Sequence, residues 1–280
     1  MTRLLVCGIA VMDYVHRVEA LPTTEGKHRS TAFERIGGGC AANAAVGAAR
    51  LGANVTLMAR LGTDATGDEL AAMFAARGIA TELARGGRTP LSSILIDRAG
   101  ERMIVNFPGA DLPETPPEVP QADVVLSDCR WPDAAEAVLR AAVDRGLPSV
   151  LDGEKYTPEP LAALATHTVF SAPGLRDFTG VDALPRALAD AATRLPNHVA
   201  VTDGPQGVFW GDGLHVPAPR VTPVDTLGAG DLWHGAFALA LGRGDNRRAA
   251  SDFANRAAAL KCTRAGGWNH YPTHTELENP

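Results

Sequence analysis

Short apolar segments alternate along the chain with alanine-rich segments that have helical spacing. The apolar segments are rich in β-branched residues, and several alanine-rich ones end at a glycine, as helices commonly do. The predicted strands are Arg3 to Ile9, Val55 to Leu61, Asp123 to Ser127, Pro148 to Leu151, Thr168 to Ser171 and His198 to Thr202. The predicted helices are Ala41 to Leu51, Gly67 to Ala76, Asp133 to Arg145 and Leu184 to Leu195. This alternation predicts an α/β fold, a doubly wound and mostly parallel sheet flanked by helices.

Two segments depart from the alternation. Val11 to Phe33 has no helical period, and Leu91 to Phe107 alternates as two strands around the turn Arg98-Ala99-Gly100-Glu101. Together they predict a small β lid, formed by about residues 11–35 and 90–108 and inserted in a single domain of residues 1–280. The proline-rich stretch Leu112 to Pro120 is interpreted as a surface connection back to the main sheet.

Composition excludes several classes of protein. The 26 basic and 32 acidic residues are mixed along the chain and leave a net charge of −6, so no basic stripe indicates a nucleic-acid partner. No segment approaches the roughly 20 apolar residues of a membrane helix, and the N-terminus resembles a first strand rather than a signal peptide. The cysteines form no CxxC pair, which is typical of reduced thiols. We therefore expect a cytoplasmic protein.

The strongest chemical signal is the segment Val224 to Asp231, followed by the apolar helix Leu232 to Leu241. Glycines before a helix let consecutive backbone N–H groups converge, and the positive end of the helix adds to them. Gly228, Ala229 and Gly230 are therefore predicted to form an anion hole. A carboxylate at such a site suits proton transfer better than anion binding, so Asp231 is predicted to accept a proton from an attacking hydroxyl.

A plain glycine-rich loop in which Asp231 only caps the helix is the structural alternative. The pattern D-T-x-G-A-G-D, with an acid on each side of the glycines, favours the catalytic interpretation. The chain contains no Walker A sequence, so phosphate must be bound in another way.

The D-T-x-G-A-G-D segment closely resembles the C-terminal signature of the ribokinase-like (PfkB) carbohydrate kinases. The N-terminal motif of that family is similar to Gly37 to Ala45, Arg50 to Ala53 and Gly62 to Gly67, so the resemblance spans essentially the whole chain. It implies an ATP-dependent phosphotransferase with an alcohol acceptor, with ATP and Mg²⁺ as cofactors, and it leaves a K⁺ requirement open. Because family members often pair through their lids, it also implies a homodimer.

Transferred by position, the resemblance assigns residues to the sugar and to the nucleotide. Asp13, Gly38, Gly39 and Asn43 look like the sugar-binding residues, although Asp13 could equally end a strand and Asn43 could cap a helix. The residues that resemble the nucleotide site are Thr202, Gly204, Gly207, Thr226, Asn255 and Ala258. On its residue type alone, Asn255 would be a solvated or capping side chain.

One motif departs from the family. The N-x-x-E sequence that organises magnesium in many members corresponds to Ser171-Ala172-Pro173-Gly174, which lacks the acid. Asp152 or Glu154 is the replacement expected here, because Mg²⁺ prefers oxygen ligands.

Within the family, several segments look most like kinases of 6-deoxy-6-sulfofructose, which implies phosphorylation to the 1-phosphate. That resemblance places Lys27, Asn106 and Arg130 near the sulfonate, where an ammonium and a guanidinium would complement its oxygens. Without it, Lys27 and Arg130 are ordinary solvated charges. Fructose, fructose 6-phosphate and ribose stay open as substrates.

Two other classes of function compete. Gly37 to Ala42 before a helix can be interpreted as the G-x-G-x-x-A of a dinucleotide-dependent oxidoreductase, but Ala32 to Ile36 lacks the apolar run of a buried first strand. A sugar-binding regulator without catalysis is the second alternative. The presence of Asp231 and of the glycines before it favours a catalytic protein over such a regulator.

Overall fold

The structure is a computed structural model that describes residues 1–278. The strands are β1 (Arg3–Gly8), β2 (Val11–Arg17), β3 (Ala32–Gly38), β4 (Asn54–Leu61), β5 (Ala80–Arg85), β6 (Leu91–Ile96), β7 (Arg102–Phe107), β8 (Val124–Ser127), β9 (Ser149–Gly153), β10 (His167–Ser171), β11 (His198–Thr202), β12 (Val208–Trp210) and β13 (His215–Val216). The helices are α1 (Cys40–Arg50), α2 (Ala65–Ala75), α3 (Pro132–Asp144), α4 (Glu159–Leu164), α5 (Ala172–Thr179), α6 (Leu184–Arg194), α7 (Ala229–Gly242), α8 (Arg247–Cys262) and α9 (His274–Glu278).

Nine of these strands form the main sheet, in the order β13-β12-β11-β10-β9-β8-β1-β4-β5. All pairs from β11 to β5 are parallel, and at one edge β12 pairs antiparallel with both β11 and β13. The predicted strands and helices are present with ends shifted by one or two residues, and the α/β fold is confirmed. The edge strand β5 was not predicted, because its residues are only partly buried and its sequence has no continuous apolar run.

Alternation along β1 divides the core into two layers. Leu4 and Val6 pack in one apolar cluster with α1, α7 and α8, whereas Leu5 and Cys7 pack in a second cluster with the helices α3 to α6. Successive side chains of a strand point to opposite faces, so a strand with helices on both faces is apolar throughout. This explains why the central strands are continuous apolar runs. All four cysteines are free thiols.

A second sheet of four strands, in the order β3-β2-β6-β7, contains the segments expected to form the lid. β2 pairs in parallel with β6, while β3 and β7 pair antiparallel at the two edges. Ala32–Gly38 is thus the exposed edge strand β3 of this sheet, and it has no place in the main sheet. Within the described residues, no helix is both long and apolar enough to cross a membrane.

Candidate active site

Several residues with polar side chains lie where the parallel strands of the main sheet end. Gly8 ends β1 and Asp128 follows β8, and these two adjacent strands lead to opposite halves of the sheet. Asp152 and Thr202 lie at the same edge, near the ends of β9 and β11. In open α/β sheets ligands bind outside the carboxyl ends of the strands, at the point where the strand order reverses. The candidate active site is therefore at this edge, between β1 and β8.

Asp231 lies in the first turn of α7, and its side chain is oriented from α1. Asn43 Nδ2 donates a hydrogen bond of 2.7 Å to Asp231 Oδ2, and Asn43 Oδ1 accepts one of 2.7 Å from Trp268 Nε1. Trp268 thereby fixes which end of the Asn43 amide faces the acid. Sequence patterns did not indicate Trp268, because it lies 225 residues from Asn43 in the chain.

Burial raises the pKa of Asp231 to about 6. The hydrogen bond from Asn43 and the charge of His234 oppose this shift, whereas the nearby negative charges of Glu154 and Asp128 add to it. Desolvation and like charges both disfavour the ionised form of a carboxyl group. A carboxyl with such a pKa is well suited to accept a proton near neutral pH.

The turn before α7 has the backbone that the glycines predict. Gly228 is the N-cap of the helix and has a φ of 73°, in the left-handed region. A Cβ atom there would lie 2.2 Å from Tyr271 Oη, so the position lacks room for a side chain as well. A Cβ atom at Gly230 would have no heavy atom within 4 Å, so the backbone there is open to an incoming group.

The glycines at the end of β3 and before α1 leave room for neighbouring parts of the chain. A Cβ atom at Gly37 would meet the ring of Trp268 at 2.0 Å, and one at Gly38 would meet Asp13 Oδ2 at 1.9 Å. Gly39 has a φ of 96° and lies against the carbonyl of Ile9. These close approaches explain the three glycines without a dinucleotide, and β3 is not the buried first strand that a dinucleotide-binding fold requires.

Asp13 belongs to a polar row that crosses the second sheet. The strand register places Asp13 beside Ser92 and Ser92 beside Asn106. Asn106 Nδ2 donates to Ser92 Oγ at 3.1 Å, and burial raises the pKa of Asp13 to about 6 although a hydrogen bond with Ser92 opposes the shift. Ser92 was missed in the sequence, where a serine in an alternating strand carries no distinguishing signal. The row presents hydroxyl, amide and carboxyl groups side by side.

Lys27 and Arg130 are both exposed, and they lie in different parts of the chain. Lys27 lies in the mostly exposed segment of residues 19–31 between β2 and β3. Arg130 is exposed just after β8, where its charge lowers the pKa of Asp128 and of Asp152 against the larger, raising effect of their burial. Of the two cations expected near a sulfonate, Arg130 is thus the one beside the acids of the site.

The residues predicted for the nucleotide fall into two groups. Thr202 ends β11, and Gly204 and Gly207 bound the short 3₁₀ turn that follows it. Gly207 has a φ of 86° and lies against the Val216 carbonyl. These residues form one loop at the edge of the sheet.

Asn255 and Ala258 lie on α8 instead. The Asn255 amide is fully engaged, because Nδ2 donates to the carbonyls of Val216 and Pro217 and Oδ1 accepts from Trp233 Nε1. It holds the backbone at the end of β13 and has no free N–H for a nucleotide. Ala258 is partly buried against the core. Thr226, in the turn before α7, accepts a hydrogen bond of 3.0 Å from Arg102 Nη2 of β7.

The acids expected to replace the missing metal acid lie near Asp231. Asp152, Asp231 and Cys40 offer ligand atoms that all lie within 4.8 Å of one another. Asp152 is buried, and its Oδ1 atom has no hydrogen-bond partner in the described part of the chain. Burial, followed by the charges of Glu154 and Asp231, raises the pKa of Asp152 well above its ordinary value. The Asp152 Oδ1 atom lies 3.5 Å from His234 Nε2 without a hydrogen bond, and a buried carboxylate oxygen of this kind among other acids fits a hard cation.

The missing acid itself has a steric cause. A side chain at Gly174 would begin 2.3 Å from the Gly153 carbonyl oxygen and 3.0 Å from the Cα atom of Glu154. The backbone of Glu154 thus fills the space that a glutamate at residue 174 would need. Ser171, at the first position of the motif, is the N-cap of α5 and accepts from Gly174 N.

A model of the pfkB family of carbohydrate kinases matches residues 1–274 of the chain. The chain belongs to the pfkB carbohydrate kinase family. It is 30% identical over 294 aligned residues to the ribokinase of Bacillus subtilis, a match that covers 99% of each chain. A solved structure from Agrobacterium tumefaciens, described as a candidate ribokinase, is 38% identical with a TM-score of 0.92, over 99% of this chain and 96% of that one. The Arabidopsis thaliana ribokinase, solved with ribose and ATP, is 24% identical with a TM-score of 0.83 over 99% and 97%, and therefore shares the fold.

Family membership confirms the prediction of an ATP-dependent carbohydrate kinase of the ribokinase-like fold. Enzymes of this family use ATP together with a metal ion. The oxidoreductase interpretation of Gly37 to Ala42 is wrong, because the glycines accommodate Trp268, Asp13 and Ile9 in a kinase fold.

Proposed function

We propose that this kinase transfers the γ-phosphoryl group of ATP to a hydroxyl of a small sugar, with Asp231 as the general base. The observation that carries the proposal is the Asp231 carboxylate, oriented by Asn43 at the start of α7 and adjacent to an open glycine turn. Positioning the acceptor hydroxyl, removing its proton and stabilising the transferred charge are the tasks of a phosphoryl-transfer site. This one turn contains groups that can remove the proton and groups that can stabilise the transferred charge.

The steps follow from the placement of the groups. The Asp231 carboxylate takes the proton of the acceptor hydroxyl as the hydroxyl oxygen attacks the γ-phosphorus, and the bond from that phosphorus to the bridging oxygen of the β-phosphate breaks to release ADP. The backbone N–H groups of Gly228 and Gly230, at the positive end of α7, stabilise negative charge on the transferred group, whereas the N–H of Ala229 donates to the Thr226 carbonyl at 3.2 Å. Asn43 positions the base through its hydrogen bond to the Oδ2 atom. We infer that Asn43 acts on Asp231 first, rather than on the sugar.

Asp13, Gly38 and Gly39 form the sugar side of the proposed site. Gly38 lets the backbone of β3 approach Asp13, so the carboxyl group is held beside Ser92 and Asn106. A carboxylate accepts hydroxyl hydrogen bonds, and the neighbouring serine and asparagine can donate as well as accept. The row therefore suits a molecule with several adjacent hydroxyl groups.

We propose that the metal is Mg²⁺, held by Asp152 with Glu154 beside it. Two observations support this assignment: the Oδ1 atom of Asp152 has no hydrogen bond among the described residues, and the backbone of Gly153 and Glu154 fills the space of a residue-174 side chain. When bound, the ion neutralises charge on the phosphate oxygens of ATP. Thr202, Gly204, Gly207 and Thr226 are proposed to line the nucleotide. We propose only a packing role for Asn255, with Ala258, on the wall behind it.

The second sheet is proposed to act as a lid over the sugar. Arg102 of β7 reaches the turn before α7, where Nη2 lies 3.0 Å from Thr226 Oγ1 and 3.3 Å from Asp225 Oδ1. This contact links the sheet to the phosphoryl-transfer turn. Closure over the sugar would exclude water and limit the hydrolysis of ATP.

The proposed substrate is 6-deoxy-6-sulfofructose, converted to its 1-phosphate. Support comes from the exposed guanidinium of Arg130 beside the site acids and from Asn106 in the polar row, with Lys27 on the exposed segment of residues 19–31. Arginine complements the fixed oxygens of a sulfonate. Ribose is the second candidate, because the Bacillus subtilis relative is named a ribokinase.

A substrate panel tests both candidates. ADP release with Mg²⁺ and ATP would be measured for sulfofructose, fructose 6-phosphate, fructose, ribose and a nucleoside, and kcat/KM compared. We expect sulfofructose to have the highest value and Arg130→Met to lower it at least about tenfold, with little effect on uncharged sugars. Preference for ribose, with no effect of Arg130→Met, would replace sulfofructose by ribose. Absence of turnover on every sugar would indicate a binding protein without catalysis.

We further propose a cytoplasmic homodimer. The free thiols favour a reducing compartment. The second sheet exposes apolar side chains on its edge strands β3 and β7, and exposed apolar edges are common pairing surfaces. The exposed side chains are Phe33, Met103, Ile104 and Val105.

A further inference from the structure

Lys261, near the end of α8, is a lysine with no exposed side-chain surface. Lysine is almost never fully buried unless its ammonium group has a partner. The partner here is Asp225, the first acid of the D-T-x-G-A-G-D segment: Lys261 Nζ donates to the Asp225 carbonyl at 3.1 Å and lies 3.7 Å from its Oδ2 atom. A charged group has thus been placed inside the core, next to the phosphoryl-transfer turn.

Asp225 connects the turn to three other parts of the molecule. Its Oδ1 atom accepts from Leu227 N at 2.9 Å, within the turn itself, and from Arg102 Nη2 of the second sheet. Its Oδ2 atom accepts from Gly266 N at 3.2 Å, in the segment that leads to Trp268. The backbone N–H of Asp225 donates to the Cys262 carbonyl at the end of α8. The conformation of residues 225–230 therefore depends on this one side chain.

The charges around Asp225 favour an ionised pair, although burial lowers the pKa of the Lys261 ammonium group against the raising effect of the Asp225 charge. Burial alone would raise the pKa of Asp225, but the Leu227 N–H, the Lys261 charge, the Gly266 N–H and the Arg102 charge together hold it below its ordinary value. Asp225 is therefore a carboxylate, and two cations, Lys261 and Arg102, both contact it. Removing one partner of a buried pair is costly, because it leaves the other charge uncompensated.

We propose that the Lys261 ammonium group is a built-in cation of the phosphoryl-transfer turn, which positions residues 225–230 and makes turnover independent of K⁺ or other dissolved monovalent cations. The inference rests on the proposed role of the Gly228 to Gly230 turn in transfer. The Asp225 carboxylate and carbonyl oxygens are acceptors that a cation at the base of this turn could use, and the Lys261 ammonium group already contacts both. Lys261 touches neither substrate, so it is a positioning residue.

The first test is the response of the wild-type enzyme to monovalent salts. We expect kcat to change by less than about twofold when KCl is replaced by NaCl or tetramethylammonium chloride at constant ionic strength, since no exchangeable cation is required. Activation of about tenfold or more by K⁺ would overturn the proposal.

Two variants test the ammonium group itself. Lys261→Ala removes the charge and leaves space, so we expect kcat to fall about tenfold to a hundredfold, with the KM for sugar nearly unchanged, and NH₄⁺, K⁺ or methylamine to restore part of it. Lys261→Met fills the space without charge, so kcat should fall without rescue. Lys155→Met, at an exposed lysine, is the matched control. Its kcat should equal that of the wild type, with and without added cations. Wild-type kcat in both Lys261 variants, or a folded Lys261→Ala variant that no cation restores, would contradict the proposal.

Hydrogen exchange separates this inference from the proposed function, because it does not require turnover. In Lys261→Met, which retains the bulk of the side chain, the amides of Leu227 and Gly266 should exchange faster than in the wild type, since they donate to the Asp225 carboxylate. If they do so in a protein that phosphorylates no sugar, the proposed function fails and the positioning role stands. If turnover is normal and these amides are unchanged, the positioning role of Lys261 is wrong.

Discussion

The ionised form of Asp231 is needed for its proposed catalytic role but lowers the stability of the fold. A carboxyl group with a pKa raised to about 6 contributes stability that is complete below its unfolded pKa and is lost as the pH rises through 6. At neutral pH the ionised Asp231 carboxylate therefore lowers the stability of the folded protein. A neutral side chain at this position would not have this effect. Costs of this kind are common at active sites.

Asp231→Asn should abolish turnover and stabilise the fold. We expect kcat to fall about a thousandfold or more, because the amide cannot accept the hydroxyl proton, while its oxygen still accepts from Asn43. At pH 7.5 Tm should rise by about 2–4 °C, and the difference should shrink toward pH 5 as the wild-type group becomes protonated. ADP release and thermal melts would measure the two effects. Asp245→Asn, at an exposed acid just after α7, is the control, and normal turnover in Asp231→Asn would refute the base assignment.

The pH dependence of kcat/KM should show an acidic limb near pH 6. Both Asp231 and Asp13 have a pKa raised to about 6 by burial, and both are proposed to act as carboxylates. Activity should therefore be constant above pH 7 and fall as the pH is lowered through 6, with apparent values that belong to the interacting acids together. A profile that stays flat down to pH 5 would show that neither protonation matters.

At the scale of elements, Gly228 joins the turn to α7. Gly228→Ala places a side chain at a φ of 73° and within 2.2 Å of Tyr271 Oη, so the turn must move. We expect kcat to fall about tenfold or more and the free energy of unfolding to fall by about 1 kcal/mol. Kinetics and denaturant unfolding would measure both.

Gly146→Ala is the matched control for this change. Gly146 also has a positive φ, 63°, but no heavy atom lies within 4 Å of the position of an added Cβ. It should lose a similar amount of stability and keep its full kcat. Equal losses of kcat in the two variants would mean that strain alone, rather than the placement of the turn, explains the effect.

Arg102 connects the second sheet with the turn before α7. Arg102→Met removes its contacts with Asp225 and Thr226, so the proposed lid should close less firmly. We expect the KM for sugar to rise about three- to tenfold and more ATP to be hydrolysed without transfer. Arg98→Met removes an exposed ion pair with Glu19, between the turn that joins β6 to β7 and the segment after β2, and should have neither effect. Identical kinetics in the two variants would exclude a latch at Arg102.

At the scale of the whole molecule, the exposed face of the second sheet bears on assembly. The register places Phe33, Met103 and Val105 on one face, through the pairs His16 with Phe33, His16 with Leu95 and Leu95 with Met103. If this face joins two copies, Met103→Glu with Val105→Glu should convert a dimer to a monomer in sedimentation experiments. Val143→Glu, at an exposed valine of α3, should not. A wild-type monomer at all concentrations would refute the homodimer.

Much of the fold and the centre of the site follow from local patterns. Continuous apolar strands between alanine-rich helices suffice to predict a parallel sheet, because each central strand is covered on both faces. The glycine turn before α7 and the acid within it are likewise local, since a helix N-terminus and its preceding glycines are adjacent in sequence. The unpredicted elements, such as β5 and the short β13, are edge strands whose partners decide whether they form.

Only the tertiary structure decided which residues act together across the chain. The Trp268 to Asn43 to Asp231 series, the Ser92 of the polar row and the buried Lys261 join residues that are far apart in sequence. The tertiary structure also shows that Asn255, predicted to contact the nucleotide, binds the backbone at the end of β13 instead. The backbone of Gly153 and Glu154 occupies the space that a side chain at Gly174 would need. Hydrogen-bond partners and free space depend on how distant segments pack. A local sequence pattern contains no information about that packing.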